Sequence, residues 1–236
     1  MAYILPDRLA DVFIASYSVG PWQTNCYILV ADGASSAVVV DAGVGAYATV
    51  RRALDERGLA LAGVIATHGH VDHIADAARL ANSAGVPVFW HGADDFMVAK
   101  PSAGLGDDAV PLMVELFGTD ALPAADSRVD VADSAGIELA GLTFGLIHAP
   151  GHTPGCVVLT LRDGGDDLAL TGDVIFAGSV GRTDLPGGDP AQMRDSLGRL
   201  LAALGDDTRL LPGHGPETTM ARERRRNPYL QLEAGN

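Results

Sequence analysis

Lysine is almost absent from this chain: Lys100 is the only one in 236 residues. Arg supplies the rest of the 16 basic side chains, against 30 acidic ones, for a net charge of −14. Binding a nucleic-acid backbone requires clustered cations, so this balance excludes long nucleic acids as partners. The one basic cluster, Arg222, Arg224, Arg225 and Arg226, reads as a solvated helix face. Cysteine is scarce too. Cys26 and Cys156 cannot make a disulfide framework, and each sits in an apolar, strand-like run as a small hydrophobe. No apolar run approaches the length of a bilayer span. The start, Met1-Ala2-Tyr3-Ile4-Leu5-Pro6-Asp7, lacks the basic and apolar regions of a signal peptide. The expectation is a cytoplasmic protein with no membrane partner.

What is present is a series of short β-branched runs that read as strands: residues 12–19, 25–30, 37–41, 63–67 and 86–90, then 142–148, 156–161, 168–171 and 208–211. Helical spacing intervenes at Ala46, Val50, Ala53 and Leu54, ending at Gly58. It recurs at Ile74, Ala77, Ala78 and Ala81, ending near Gly85, and at Met193, Leu197, Leu200 and Leu201. Strand-rich stretches broken by single helices predict two sheets packed together with helices outside. Residues 101–134, rich in Gly, Pro, Ala and Asp, form the least regular stretch, with a short helix expected around 110–117. Phe96, Met97 and Leu105 are candidates for covering a pocket there or for plain packing.

The strongest local signal is His68-Gly69-His70-Val71-Asp72-His73. It follows the apolar strand ending at Thr67 and precedes a helix expected from about Asp72. Three imidazoles and a carboxylate in six residues suit a core poorly, since every buried polar group demands a partner. A turn at a strand end can instead aim His68 and His70 at one ion and Asp72 and His73 at a second. Three further donors stand in strand-end loops, each beside a glycine that permits close backbone approach: His152, Asp173 and His214. Sorted by chemistry, His68, His70 and His152 offer nitrogens to one ion, and Asp72, His73 and His214 serve the other. Asp173 can bridge both. Zinc suits these ligands, and iron or manganese also fit. His91 and His148 read as structural.

A competing pattern, Gly43-Val44-Gly45-Ala46-Tyr47-Ala48, matches G-x-G-x-x-A after a strand. A dinucleotide site would want an acidic residue at the end of the next strand. That strand runs instead into Thr67-His68, so the glycines are assigned to a tight turn. Asp41, just before them, is a candidate for orienting a ligand imidazole from behind.

With His-x-His-x-Asp-His, Gly-His152-Thr-Pro-Gly, Thr-Gly-Asp173 and Pro-Gly-His214-Gly, the chain resembles the metallo-β-lactamase fold superfamily over nearly its whole length. The resemblance implies an α/β (α+β) fold, an αββα sandwich of two mixed sheets with helices outside, and a binuclear site at one sheet edge. Thr171 to Phe176, Gly181-Arg182-Thr183-Asp184-Leu185-Pro186-Gly187-Gly188-Asp189 and Glu223-Arg224-Arg225-Arg226-Asn227-Pro228-Tyr229-Leu230 are similar to the bacterial glyoxalase II-like (hydroxyacylglutathione hydrolase-like) enzymes. No internal repeat, low-complexity tract or interdomain linker interrupts the chain, so a single domain, 1–236, is expected. It departs from the larger glyoxalase II enzymes in ending 22 residues after His214, too soon for their helical C-terminal domain. The implied activity is a metal-dependent thioester hydrolase acting on a small acyl thioester, with two divalent ions, zinc foremost. Asp72 and Asp173 would be catalytic as well as ligating. Arg182 stands where the family's loop carries a substrate-binding lysine. Asp173 replaces the cysteine of many true β-lactamases, which points away from antibiotic hydrolysis. Related persulfide dioxygenases share Gly-Arg-Thr-Asp and would use His68, His152 and Asp173 for one iron. Small-ester or lactone hydrolysis is a further alternative.

Overall fold

The structure, a computed structural model, describes residues 7–8, 12–132, 134–163 and 166–234. The first half runs β1 (Asp7–Arg8), β2 (Val12–Val19), β3 (Thr24–Ala31), β4 (Ser36–Val40), α1 (Ala46–Asp55), β5 (Ala60–Ile65), α2 (Val71–Ile74) and α3 (Ala77–Ala84). It continues through β6 (Val88–Trp90), α4 (Asp95–Ala99), α5 (Val110–Phe117) and β7 (Arg128–Asp130). These strands form one sheet in chain order, β1 to β7, antiparallel as far as β4 and parallel from there.

The second half runs β8 (Gly136–Leu139), β9 (Leu142–His148), β10 (Val157–Asp163), β11 (Asp166–Gly172), β12 (Ile175–Phe176), β13 (Ser179–Val180) and α6 (Pro190–Ala203). It ends in β14 (Arg209–Pro212), β15 (Thr218–Thr219), α7 (Met220–Arg226) and α8 (Pro228–Ala234). Its sheet has the order β15-β14-β11-β10-β9-β8 and is also mixed, with β11 and β14 parallel. β12 and β13 make a separate hairpin.

Alternation along the strands builds three apolar layers. Tyr27 and Leu29 of β3 meet Phe144, Leu159, Leu168 and Leu170 between the sheets. Cys26, Ile28 and Val30 point the other way, onto Val50, Ala53 and Leu54 of α1 and Leu80 of α3. On the far face Val158 and Ala169 pack under Met193, Leu197 and Leu200 of α6. This is the αββα sandwich. Phe144 is fully buried in the middle layer, where truncation to Ala would cost about 3–5 kcal/mol.

The helix expected from Asp72 to Gly85 is two helices. The Asp76 amide donates to Ala42 O at 2.9 Å rather than back to Asp72, and the Asp72 carbonyl lies so close to Gly43 that a Cβ there would be 1.5 Å away. Gly85, at φ +68°, closes α3 as expected. The irregular stretch 101–134 holds α5 at Val110–Phe117 but also ends in β7. That strand is short and exposed on both faces, so it has no apolar alternation to read.

Candidate metal centre

The two sheets are joined at one end by backbone hydrogen bonds, and the donors gather there. The Val157 amide donates to Thr67 O at 2.8 Å, and the Asn25 amide to Gly213 O at 2.7 Å. His68 and His70 follow β5, His152 follows β9, Asp173 follows β11 and His214 follows β14. A hydrogen bond from Gly213 N to Gly172 O at 2.8 Å sets the last two loops side by side. The side chains form three overlapping groups whose donor atoms lie within 4.8 Å of one another: His68, His70 and His152; His68, His73 and Asp173; Asp72, His73 and His214. The divisions expected from residue chemistry therefore exist in space, with Asp173 between them.

Tautomers show what these groups are arranged to hold. His152 Nδ1 lies 2.7 Å from Arg182 O, and His70 Nε2 lies 3.2 Å from Gly104 O. Carbonyl oxygens only accept, so each ring carries its proton on that outer nitrogen. The inner nitrogens, His70 Nδ1 and His152 Nε2, then face each other as lone pairs at 2.8 Å. In the same way His73 Nδ1 donates to Asp41 Oδ2 at 2.9 Å. That turns His73 Nε2 towards Asp72 Oδ2 and Asp173 Oδ1, both 3.3 Å away, and towards His214 Nε2 at 3.3 Å. His68 Nε2 and Asp173 Oδ1 are buried without a hydrogen-bond partner. Converging lone pairs and orphaned acceptors fit cations at the centre of the cluster.

Electrostatics differ across the cluster. Burial pushes His70 down to about 4, helped by the neighbouring His152. Burial and the other imidazoles likewise hold His68 well below the usual histidine range. Burial opposes charge on His73, but Asp72, Asp173 and Asp41 outweigh it and raise its pKa well above that range. For Asp72, burial is outweighed by His73 and His214, so the carboxyl sits well below its ordinary value.

Asp41, expected behind a ligand, is 1% exposed and also accepts from Thr67 N at 2.8 Å and Thr67 Oγ1 at 2.9 Å. Gly43 serves the close approach of the Asp72 carbonyl, which accounts for the G-x-G-x-x-A match. Arg182 contributes its carbonyl to His152, while its guanidinium is held at 2.7 Å by both oxygens of Asp184. His91 and His148 stand outside the cluster, stacked at 4.3 Å and 8°. Both cysteines are buried, and burial pushes both thiols up. Met97 is buried against Gly69 and Gly104, whereas Phe96 is exposed.

Several contributors carried no readable signal. Thr24 Oγ1 donates to Asp72 Oδ2 at 3.0 Å. Asn25 Nδ2 donates to Pro212 O and Gly215 O, and Tyr27 OH to Pro212 O, clamping the His214 turn. Gly104 and Asp94 reach the first group from the 92–104 region. Each looks like ordinary strand or loop composition until the partner segment is in place.

A two-sheet sandwich with histidine and aspartate donors converging at one end defines a metallo-hydrolase architecture. Residues 19–214 match the metallo-beta-lactamase superfamily, and the chain belongs to it. It is 32% identical to the hydroxyacylglutathione hydrolase GloC of Haemophilus influenzae over 92% of this chain and 97% of that one. The solved structure of the B3 metallo-beta-lactamase BLEG-1 is 30% identical, with a TM-score of 0.77 over 92% of this chain and 99% of that one. A di-iron-bound form of TTHA1623 is 33% identical, with a TM-score of 0.69 over 91% and 98%. Among the described residues no helix is long and apolar enough to cross a membrane.

Proposed function

We propose that this protein is a binuclear-metal hydrolase of small acyl thioesters, with a hydroxyacylglutathione as its substrate, acting in the cytoplasm. The observation that carries this reading is the place of Asp173. Its Oδ1 lies 3.3 Å from His73 and its Oδ2 lies 3.5 Å from both His152 and His214, so an oxygen ligand stands between the two donor groups. The likeness to GloC supports the thioester.

His68, His70 and His152 would hold one ion, Asp72, His73 and His214 the other, and Asp173 both. Zinc is the metal proposed. Such a pair supplies Lewis acidity towards the acyl carbonyl and lowers the pKa of an attacking water to ~7. The protein's own part is to place and orient. Asp72, steadied by the Thr24 hydroxyl, would accept a hydrogen bond from that water and so orient it. His68, His70 and His73 are sealed from solvent, whereas His214 and Asp72 keep 28% and 14% of their side chains exposed. Substrate therefore approaches from the His214 side. A thiolate leaving group, with a pKa near ~8.5, departs without a strong general acid. Beside the site a cavity of about 430 Å³, lined by Arg182, Arg194, Met193 and Tyr229 among others, suits the acidic end of the thiol carrier. Arg182 would there exchange Asp184 for the substrate carboxylate.

The test is metal quantification on freshly purified protein together with turnover of S-D-lactoylglutathione. About two ions per chain and thioester cleavage are expected. One iron with oxygen uptake on glutathione persulfide would instead make it a dioxygenase. Turnover confined to a β-lactam or a lactone would overturn the thioester assignment.

A further inference from the structure

Asp94 is buried, 1% exposed, in the short helical turn Gly92–Asp94, and it belongs to none of the three donor groups. Its Oδ2 accepts from the Gly69 amide at 2.8 Å and from the Thr153 hydroxyl at 2.7 Å. Its Oδ1 accepts from the Gly155 amide at 2.7 Å. Gly69 lies between His68 and His70, and Thr153 follows His152. One carboxylate thus ties together the two chain segments that carry the first donor group, one from each sheet.

The fit leaves no slack. A Cβ on Gly69 would meet Asp94 Cβ at 2.7 Å, and one on Gly155 would meet Asp94 Cγ at 2.6 Å. Among the described residues Asp94 hydrogen-bonds to Gly69, Thr153 and Gly155, each close in sequence to donors of the first group, and not to Asp72, His73 or His214 themselves, which have anchors of their own. These are Thr24 on Asp72, Asp41 on His73 and Asn25 on the His214 turn. Asp41 serves both groups, because Thr67, which it holds, also lies 3.1 Å from His68 Nδ1 through its hydroxyl. Among these anchors Asp94 is confined to one side.

We propose that Asp94 is a positioning residue that presets the spacing of His68, His70 and His152, and so governs ion affinity in that half of the centre alone. The physical basis is preorganisation: ligands held at the right separation before the ion arrives need no ordering when it binds. A charged acceptor suits the task, since a carboxylate can take three donors at once where an amide would turn an N–H towards one of them.

The inference rests on the metal-centre reading, and its test is chosen so that the two can fail separately. Asp94→Asn is placed in two backgrounds, His214→Ala, which keeps the first group intact, and His70→Ala, which keeps the second. Zinc affinity is read by competition with a chromophoric chelator. In the His214→Ala background Asp94→Asn is expected to weaken zinc binding by roughly 10–100-fold, and in the His70→Ala background to leave it unchanged. Thr153→Val, which removes one donor and keeps the carboxylate, is expected to give a smaller loss in the same background only. It carries the comparison if Asp94→Asn does not fold. Equal losses in both backgrounds would reduce Asp94 to a general structural role and overturn the proposal, as would no loss in the first. If His214→Ala alone takes up no zinc, the metal-centre reading itself falls, and the proposal with it.

Discussion

The two halves of the donor cluster are built from different materials. The group of His68, His70 and His152 is all imidazole, sealed from solvent, and two of its rings are oriented by main-chain carbonyls, Gly104 O and Arg182 O. The group of Asp72, His73 and His214 mixes carboxylate with imidazole, opens to solvent at His214, and is oriented by side chains, Asp41 and Thr24. Charge follows from this. Where only imidazoles meet in a buried space a proton is expelled, and His70 falls to about 4. Where carboxylates surround an imidazole the proton is retained, and His73 rises. The first half is shut off from solvent, the second opens to it at His214, and Asp173 joins them.

The most damaging way to break the comparison is Asp173→Ala, which removes the shared carboxylate. Metal content should fall from two ions to at most one, and thioester turnover by more than about a hundredfold, beyond the usual cost of losing an outer partner. Elemental analysis and a thiol-release assay on the same sample check this, and retained turnover would defeat the scheme. Next is Asp41→Asn, which touches both halves through His73 and Thr67. Both ions should be held roughly 10–100-fold more weakly, in contrast to the one-sided loss assigned to Asp94.

Gly213→Ala tests the second half sterically, since a Cβ there would sit 2.2 Å from Asp173 Oδ1 and 2.6 Å from His73 Cε1. Overpacking of this kind should lower stability by about 1–3 kcal/mol, measurable by urea unfolding of the metal-free protein. The smallest effect concerns protons. His70 binds its proton more weakly when folded than when unfolded, so the unfolded chain takes up protons first as pH falls below about 6.5. Metal-free stability should therefore drop between about pH 6.5 and 4, and His70→Gln should flatten that drop. His73 has the opposite sign: its raised folded pKa gives stability that is full below about 6.5 and is lost as pH rises through the folded value. His73→Gln should remove an alkaline slope instead. Parallel slopes in the two variants would erase the electrostatic contrast.

Much of the fold was legible because it depends on short-range patterning. Short β-branched runs marked β2, β3, β9 and β10, spacing marked α1 and α6, and Gly85 marked the end of α3. The site was legible wherever a donor sat beside glycine at the end of an apolar strand, as at His152, Asp173 and His214. Misreadings fell where distant contacts override local pattern. The helix from Asp72 was split by Ala42 and Gly43, and β7 had no pattern to read at all. The supporting residues were hidden for the same reason. Asn25 reaches Pro212 and Asp94 reaches Gly155, and no local rule links such distant positions.

Residue types and their near spacing alone determined that this chain offers clustered nitrogen and oxygen donors at strand ends, together with the glycines that let backbone approach them. Those properties come from local geometry, with side-chain period and turn conformation set within a few residues. Only the tertiary structure decided which donors share a group, which ring nitrogen faces inward, and that one buried carboxylate spans the two sheets. Each of these depends on how the sheets dock, and docking is settled by the summed burial of the middle layer rather than by any single segment.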